Sequence, residues 1–264
     1  MGKSSGRRVR APGPVAAYVR ATRSPVVGVA VTLPLLLLYN VGLLMPGGGV
    51  GNGADLLSGL VSRQWGLWGM LGLNALLVVA SVVAVVWLAR KGRFAAGQWA
   101  ALVAEGLAFG IALGLLVPWV LGQAFPMDVA AASASAANAP EAVAAAVRPS
   151  FLQILSASAG AGYWEELVFR LGIVGVPVWA ARVVATGKGP GPVLWKIGVA
   201  AAAVAVSALL FSLAHHMGAR ETPEPYEFWY RALAGTIFGG IFLARGFAVA
   251  AYSHCLYDVL VMML

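Results

Sequence analysis

The sequence predicts an all-α fold, a polytopic transmembrane helical bundle of about seven transmembrane helices. Of the 264 residues, 60% are hydrophobic and only 11% are charged, whereas a soluble domain has roughly 45–50% apolar and about 25% charged residues. The mean hydropathy is +0.83. The apolar residues form runs of about 20, which is the length that crosses a bilayer. These observations exclude a soluble enzyme and indicate an integral, multi-pass membrane protein.

The predicted spans divide the chain into four parts. The spans lie near residues 26–45, 67–89, 98–121, 157–180, 193–214, 228–245 and 246–264. The parts are a basic cytoplasmic N-terminal tail (1–25), N-terminal transmembrane helices (26–125), an Ala-rich external loop (126–150) and a C-terminal core (151–264). The tail has no convincing small-residue cleavage site, so we expect an uncleaved anchor rather than a removable signal peptide.

Small and polar residues within the spans predict how the helices pack. Gly106-xxx-Gly110 and Gly235-xxx-Gly239 allow close helix approach, and Asn40 and Asn74 are expected to form interhelical hydrogen bonds. The single cysteine, Cys255, excludes an internal disulfide, and we expect it to be a buried small residue rather than a nucleophile.

The lysines and arginines predict the orientation, because cations collect on the cytoplasmic side. With the N-terminus in the cytoplasm, thirteen cations lie inside: Lys3, Arg7, Arg8, Arg10, Arg20, Arg23, Arg90, Lys91, Arg93, Arg182, Lys188, Lys196 and Arg245. Four lie outside: Arg63, Arg148, Arg220 and Arg231. The membrane orientation therefore accounts for the net charge of +8, since most of the cations lie in predicted cytoplasmic segments. We expect no nucleic-acid partner. We expect the plasma membrane of a prokaryote.

Two glutamates and an arginine interrupt the fourth apolar span, where charged side chains are costly. Glu166 and Arg170 are four residues apart and can pair along one helix face. Glu165 lies about 100° round the helix and is left without a local partner. A carboxylate at low dielectric is a stronger base than one in water, so Glu165 is the candidate general base.

Two later spans carry polar pairs at similar depth. Phe211 and His215 share a helix face, whereas His216 points elsewhere and is expected to be a surface or hydrogen-bonding residue. His254 and Asp258 lie one turn apart, and the carboxylate can fix the tautomer of the histidine or share a metal with it. Each pair alone is typical of an interhelical hydrogen bond. One unpaired glutamate and two histidines from three helices have the residue types of a water-activating hydrolase, and Tyr257 is placed to reach the same cavity.

The three motifs in order resemble those of a known family. Glu-Glu-x-x-x-Arg at 165–170, Phe-x-x-x-His at 211–215 and His-x-x-x-Asp at 254–258 are similar to the motifs of the CAAX protease and bacteriocin-processing (CPBP, Abi) family of intramembrane endopeptidases. The resemblance covers about 160–264. It implies hydrolysis of a peptide bond inside or beside the membrane, with a membrane-associated protein or peptide as substrate and the lipid bilayer as surroundings.

The resemblance also implies roles for particular residues. Glu165 and His215 would activate the attacking water, while His254 and Asp258 would stabilise the oxyanion. The supporting residues are Glu166, Arg170 and Phe211. The family more often has Asn at position 258, and an ionised carboxylate cannot donate a hydrogen bond to an oxyanion. Asp258 must therefore be protonated, orient His254 or bind a metal.

Metal dependence is left open by the motifs. Glu165, His215, His254 and Asp258 form an alternative nitrogen-and-oxygen set for Zn²⁺. The sequence has no His-Glu-x-x-His motif, and its histidines come from different helices. We therefore favour a glutamate-activated water without a cofactor.

Two other functions fit parts of the sequence. A non-catalytic membrane scaffold or immunity protein of the same fold is disfavoured by the full set of Glu165, His215 and His254. A proton-coupled transporter would use Glu105, Glu165 and the histidines as a relay, but no internal repeat supports it. Glu105 alternatively pairs with Arg170 across the bundle.

Overall fold

The computed structural model describes residues 13–45, 56–91, 96–125, 149–185, 190–216 and 224–263. Within these ranges all regular structure is helical, so the predicted all-α fold is confirmed. The helices are α1 (Pro14–Thr22), α2 (Pro25–Val31), α3 (Leu33–Leu43), α4 (Leu56–Arg90), α5 (Ala96–Ala124), α6 (Phe151–Gly160), a π-helix (Ala161–Gly175), α7 (Val176–Val184), α8 (Pro190–His216), α9 (Pro225–Arg245) and α10 (Phe247–Met263). Most of the predicted Ala-rich loop lies outside the described residues, as do residues 1–12 of the basic tail.

Each predicted span corresponds to helical structure. Five segments are long and apolar enough to cross a membrane: Pro25–Leu43, Trp68–Arg90, Gly97–Ala124, Phe151–Val184 and Gly191–His216. The other two predicted spans are α9, which is 21 residues long, and α10, a shorter apolar helix. The chain is thus an integral, multi-pass membrane protein. The predicted tail is helical in part, because α1 begins at Pro14.

A glycine separates the second span from the residues before it. Gly66, in the first third of α4, has φ 61° and ψ −160°, a left-handed conformation that costs a glycine little. The kink divides α4, and its apolar span begins just beyond, at Trp68.

Glycines and asparagines pack the helices as predicted. A Cβ added to Gly106 would lie 2.8 Å from Tyr252 Cβ, and one added to Gly239 would lie 2.9 Å from Val204 Cγ1. Both motifs therefore mark close approaches, of α5 to α10 and of α9 to α8. The predicted hydrogen bond between spans is also present, since Asn40 Nδ2 donates to Asn74 Oδ1 at 3.5 Å.

At one end of the bundle an ion pair joins α5 to α9, and a hydrogen bond joins α1 to that pair. Arg245 Nη2 donates to Glu105 Oε2 at 2.8 Å, and the Tyr18 hydroxyl donates to the same oxygen at 2.6 Å. The expected pairing of Glu105 with Arg170 is therefore wrong, since Arg170 pairs elsewhere. With both carboxylate oxygens of Glu105 bound, this residue stabilises the fold and gives no support to a proton relay.

The core of the bundle surrounds the first half of α10. Residues 248–251 are fully buried alanines and a valine, and the π-helix, α5 and α6 pack around them. A Cβ on Gly162 would lie 2.5 Å from Ala251 O, so the π-helix approaches α10 at backbone distance. This contact sets the charged residues of the π-helix against α10. Cys255 is buried in the same helix, as predicted.

Candidate active site

The two glutamates lie on a π-helix, where the sequence predicts an α-helix. The π-helix Ala161–Gly175 continues α6 without a break, and α6 begins at a capping box formed by Ser150 and Gln153. Hydrogen bonds from i to i+5 widen the turn, and such segments are frequent at functional sites. The hydrophobic pattern of 15 residues does not separate the two helix types, so the difference could not be read from the sequence.

Glu166 joins two other parts of the site. Arg170 Nε lies 3.2 Å from Glu166 Oε2 in an ion pair whose members are both 0% exposed, so the predicted pairing is confirmed. This contact is ionic, because its geometry does not meet that of a hydrogen bond. The other oxygen, Oε1, lies 2.8 Å from Nδ1 of His254. The contact with His254 joins residues 88 positions apart, and nothing in the sequence predicts it.

Aromatic rings enclose the Arg170 guanidinium. Its Cζ lies 4.5 Å from the centre of the Phe211 ring and 5.4 Å from that of Phe238. Nη2 donates to Gly235 O at 3.4 Å. Phe211, expected to support the site, thus covers the buried cation, which favours the arrangement through cation–π attraction.

Glu165 has no hydrogen-bond partner among the described residues. The side chain is 1% exposed, and neither carboxylate oxygen is hydrogen-bonded. Oε2 lies 3.9 Å from His215 Nε2 and 3.7 Å from His254 Nε2, beyond the range of a direct hydrogen bond. A buried carboxylate without hydrogen bonds is costly, and contacts of this length are where a water can bridge.

The partners of the two histidines determine which nitrogen faces Glu165. Nδ1 of His215 lies 2.9 Å from Phe211 O, and a carbonyl oxygen only accepts, so Nδ1 carries the hydrogen. Nδ1 of His254 likewise donates to the Glu166 carboxylate. Both rings therefore present Nε2 to Glu165, with His215 offering a lone pair when neutral.

Asp258 lies beside His254 but does not hold its Nδ1. Asp258 Oδ2 is 3.6 Å from His254 Nε2, and Glu166 occupies the other ring nitrogen. Of the roles left open for Asp258, contact with Nδ1 of His254 is taken by Glu166 instead. Phe238 stacks on the His254 ring at 4.6 Å and 23°, which further fixes its plane.

His216 lies outside this cluster, as predicted. Its Nδ1 is 2.8 Å from Ser212 O, and Arg231 Nη1 is 3.4 Å from its Nε2. The structure therefore brings Glu165, His215, His254 and Asp258 together, and separates His216 from them.

A cavity of about 360 Å³ opens on the histidines. Its lining residues are Phe211, His215, Tyr226, Glu227, Tyr230, Arg231, Ala234, Phe238, His254, Tyr257, Asp258, Val261 and Met262. Tyr257 reaches the cavity as predicted, and its hydroxyl is hydrogen-bonded to that of Tyr230. At the rim Glu227 and Arg231 form an ion pair at 3.0 Å. The sequence pattern did not predict that residues of α9 line this cavity.

The Zn²⁺ alternative rests on the chemistry of the donors. Glu165, His215, His254 and Asp258 offer oxygen and nitrogen atoms of the kind that Zn²⁺ takes. In the part of the chain that the structure describes, however, no three His, Cys, Asp or Glu side chains are arranged to hold a metal ion. The Zn²⁺ set therefore stays a prediction.

Comparison with known proteins gives a family for the part of the chain that contains the site. Residues 147–260 match the family model described as type II CAAX prenyl endopeptidase Rce1-like. The match spans all three motifs and agrees with the CPBP resemblance, which is thereby confirmed. No curated protein and no solved structure matches the chain. The family supports a membrane protease.

Proposed function

Since residues 147–260 match the family model described as type II CAAX prenyl endopeptidase Rce1-like, we propose that this protein is an intramembrane endopeptidase acting on a membrane-associated protein or peptide. One observation carries the proposal: Glu165 is buried, has no hydrogen-bond partner in the described part of the chain, and faces Nε2 of two histidines. A buried carboxylate without hydrogen bonds destabilises the fold. The two histidines beside it favour activation of a water.

Glu165 and His215 are the residues proposed to bind and activate the water. A water between them can donate one hydrogen to Glu165 Oε2 and the other to His215 Nε2. Glu165 takes a proton as the water oxygen attacks the carbonyl carbon of the substrate, which gives a tetrahedral oxyanion. General-base assistance of this kind contributes about 10²–10⁴-fold to a rate.

His254 is the residue proposed to stabilise the oxyanion. When protonated it donates its Nε2 hydrogen toward the cavity, while the Glu166 carboxylate holds its Nδ1 hydrogen. Asp258 adds a second donor only in its protonated form. On collapse of the intermediate the carbon–nitrogen bond breaks, and Glu165 returns its proton to the leaving amine.

The helix directions favour access from one end of the bundle. The cavity lies where α8 ends and α9 begins, with Tyr226 and Arg231 in its lining. The other end of α9 carries Arg245, which contacts α1 through Glu105 and Tyr18. With the N-terminus in the cytoplasm, the substrate enters from the outer half of the membrane.

The proposal is tested with purified protein in liposomes. Wild type, Glu165→Gln and the control Glu224→Gln, an exposed residue outside the cavity, are incubated with lipidated and transmembrane peptides. Products are identified by mass spectrometry with and without a chelator. We expect equal cleavage by wild type and Glu224→Gln, with at least about 100-fold slower cleavage by Glu165→Gln.

Each contrary outcome has a distinct meaning. Equal cleavage by Glu165→Gln contradicts its role as base. Loss of cleavage in chelator, restored by Zn²⁺, contradicts the metal-free mechanism. If wild type cuts no peptide, the scaffold hypothesis gains support.

A further inference from the structure

A second cavity lies at the end of the bundle opposite the candidate active site. It measures about 400 Å³ and is bounded by the α1–α2 joint, the end of the π-helix, α7 and the turn between α9 and α10. Helix α9 connects the two cavities, since Tyr230 lines the first and Leu243 the second. Thirteen residues of α-helix separate them, a distance of about 20 Å.

Two arginines give this cavity an uncompensated positive charge. Arg23 and Arg182 are in its lining, which contains no Asp or Glu. Among the described residues neither arginine takes part in an ion pair. Arg23 Nη2 donates to Leu243 O at 2.9 Å, which orients the guanidinium and uses one of its five N–H groups. The remaining donors are available to an anion.

The rest of the cavity is apolar, and its tryptophan is typical of a membrane interface. Leu171, Val178 and Phe242 are in its lining. Trp179, also in the lining, is 66% exposed, and exposed tryptophans are enriched where a helix leaves the hydrocarbon. A cationic group beside an apolar slot is the complement of an amphiphile with an acidic head and an acyl chain.

We propose that this cavity binds one anionic phospholipid, with its phosphate between Arg23 and Arg182 and an acyl chain against Trp179 and Phe242. Arginine suits this ligand because its planar donors match phosphate oxygens in pairs. The lysine and arginine bias of the sequence places this end of the bundle at the cytoplasmic leaflet, whose lipids are enriched in anionic head groups. The site is separate from the proposed protease chemistry, and its occupancy can be measured without a substrate.

The test measures lipid retention by the full-length protein. Protein in detergent is mixed with phosphatidylglycerol or phosphatidylcholine of identical acyl chains, and bound lipid is quantified by native mass spectrometry. The variants are Arg182→Ala and the double variant Arg23→Ala/Arg182→Ala. The control is Arg20→Ala, an exposed arginine on α1 outside the cavity.

We expect wild type and Arg20→Ala to retain phosphatidylglycerol in preference to phosphatidylcholine. Each cavity arginine removed should weaken that retention about five-fold. Equal retention of the two lipids by wild type, or undiminished retention by Arg182→Ala, would overturn the proposal. Arg182 is exposed on α7, so the single variant tests the site even if the change at Arg23 loosens α1. Displacement of the lipid by millimolar inorganic phosphate would assign the site to a free anion instead.

Discussion

The same substitution at two adjacent glutamates should change stability in opposite directions. Glu166→Gln removes the negative charge 3.2 Å from Arg170. Arg170 is 0% exposed and has no other ion-pair partner among the described residues. Breaking a buried pair by removing one partner costs about 3–5 kcal/mol, so we expect Glu166→Gln to lower the free energy of unfolding by that amount.

Glu165→Gln should instead stabilise the protein. Neither oxygen of Glu165 is hydrogen-bonded, and the nearest described cationic or imidazole nitrogens are 3.7 and 3.9 Å away, on His254 and His215. A neutral amide of the same shape removes a poorly solvated carboxylate and loses no hydrogen bond to the protein. Relief of this kind at an active site is worth about 1–2 kcal/mol. The two variants should thus differ by roughly 4 kcal/mol or more.

The single cysteine provides the assay. Cys255 is 2% exposed on α10, so a thiol-reactive fluorogenic dye reports its exposure as the protein unfolds in detergent. A change of 1 kcal/mol shifts the unfolding midpoint by about 2–4 °C in a chain of this size. We expect the midpoint to rise for Glu165→Gln, fall for Glu166→Gln, and stay unchanged for the exposed control Glu224→Gln.

A fall for Glu165→Gln as large as that for Glu166→Gln would refute the reasoning. It would mean that Glu165 makes a stabilising interaction in the folded protein. Its lack of hydrogen bonds would then not indicate a catalytic role. If Glu165→Gln is more stable than wild type and also loses cleavage, the carboxylate that destabilises the fold is the one that cleavage requires.

Further predictions concern the packing of the π-helix, the oxyanion donor and the distant ion pair. Gly162→Ala should lower stability by about 1–3 kcal/mol in the dye assay, because its Cβ would lie 2.5 Å from a backbone oxygen. Gly172→Ala on the same helix, with its nearest atom at 3.6 Å, should not. Asp258→Asn should retain cleavage, because an amide can donate to the oxyanion, whereas Asp258→Ala should slow cleavage about 100-fold. Glu105→Gln should cost about 1–2 kcal/mol by weakening the partly exposed pair with Arg245, with kcat per folded molecule unchanged.

Local spacing predicted the parts of the structure that depend on neighbours in the chain. The apolar runs gave the helices because a bilayer requires about 20 residues to cross it. The four-residue spacing of Glu166 and Arg170 gave their pairing, and the same argument left Glu165 isolated. The contact of Asn40 with Asn74 was predicted because an amide without a hydrogen-bond partner is unfavourable in lipid.

Contacts between distant parts of the chain were not predictable in this way. Glu166 meets His254 because the π-helix packs against α10 at a glycine, and no spacing rule fixes which helices pack together. The same holds for Glu105, whose partner Arg245 lies 140 positions away. Counting residues per α-helical turn does not predict such contacts, because a widened turn rotates every later side chain around the helix axis.

The tight packing of the π-helix restricts the access of water to Glu165. An uncompensated carboxylate tends to draw in water, and several waters would hydrate it and weaken it as a base. Behind the π-helix, residues 248–251 of α10 are fully buried, and Gly162 leaves no room for even one methyl group. The side of Glu165 that remains for a water is that of the histidines, which line the cavity. A water that enters there meets two Nε2 atoms whose rings are fixed by Phe211 O and Glu166. In the proposed reaction, the packing that leaves Glu165 without a hydrogen bond would also orient the attacking water.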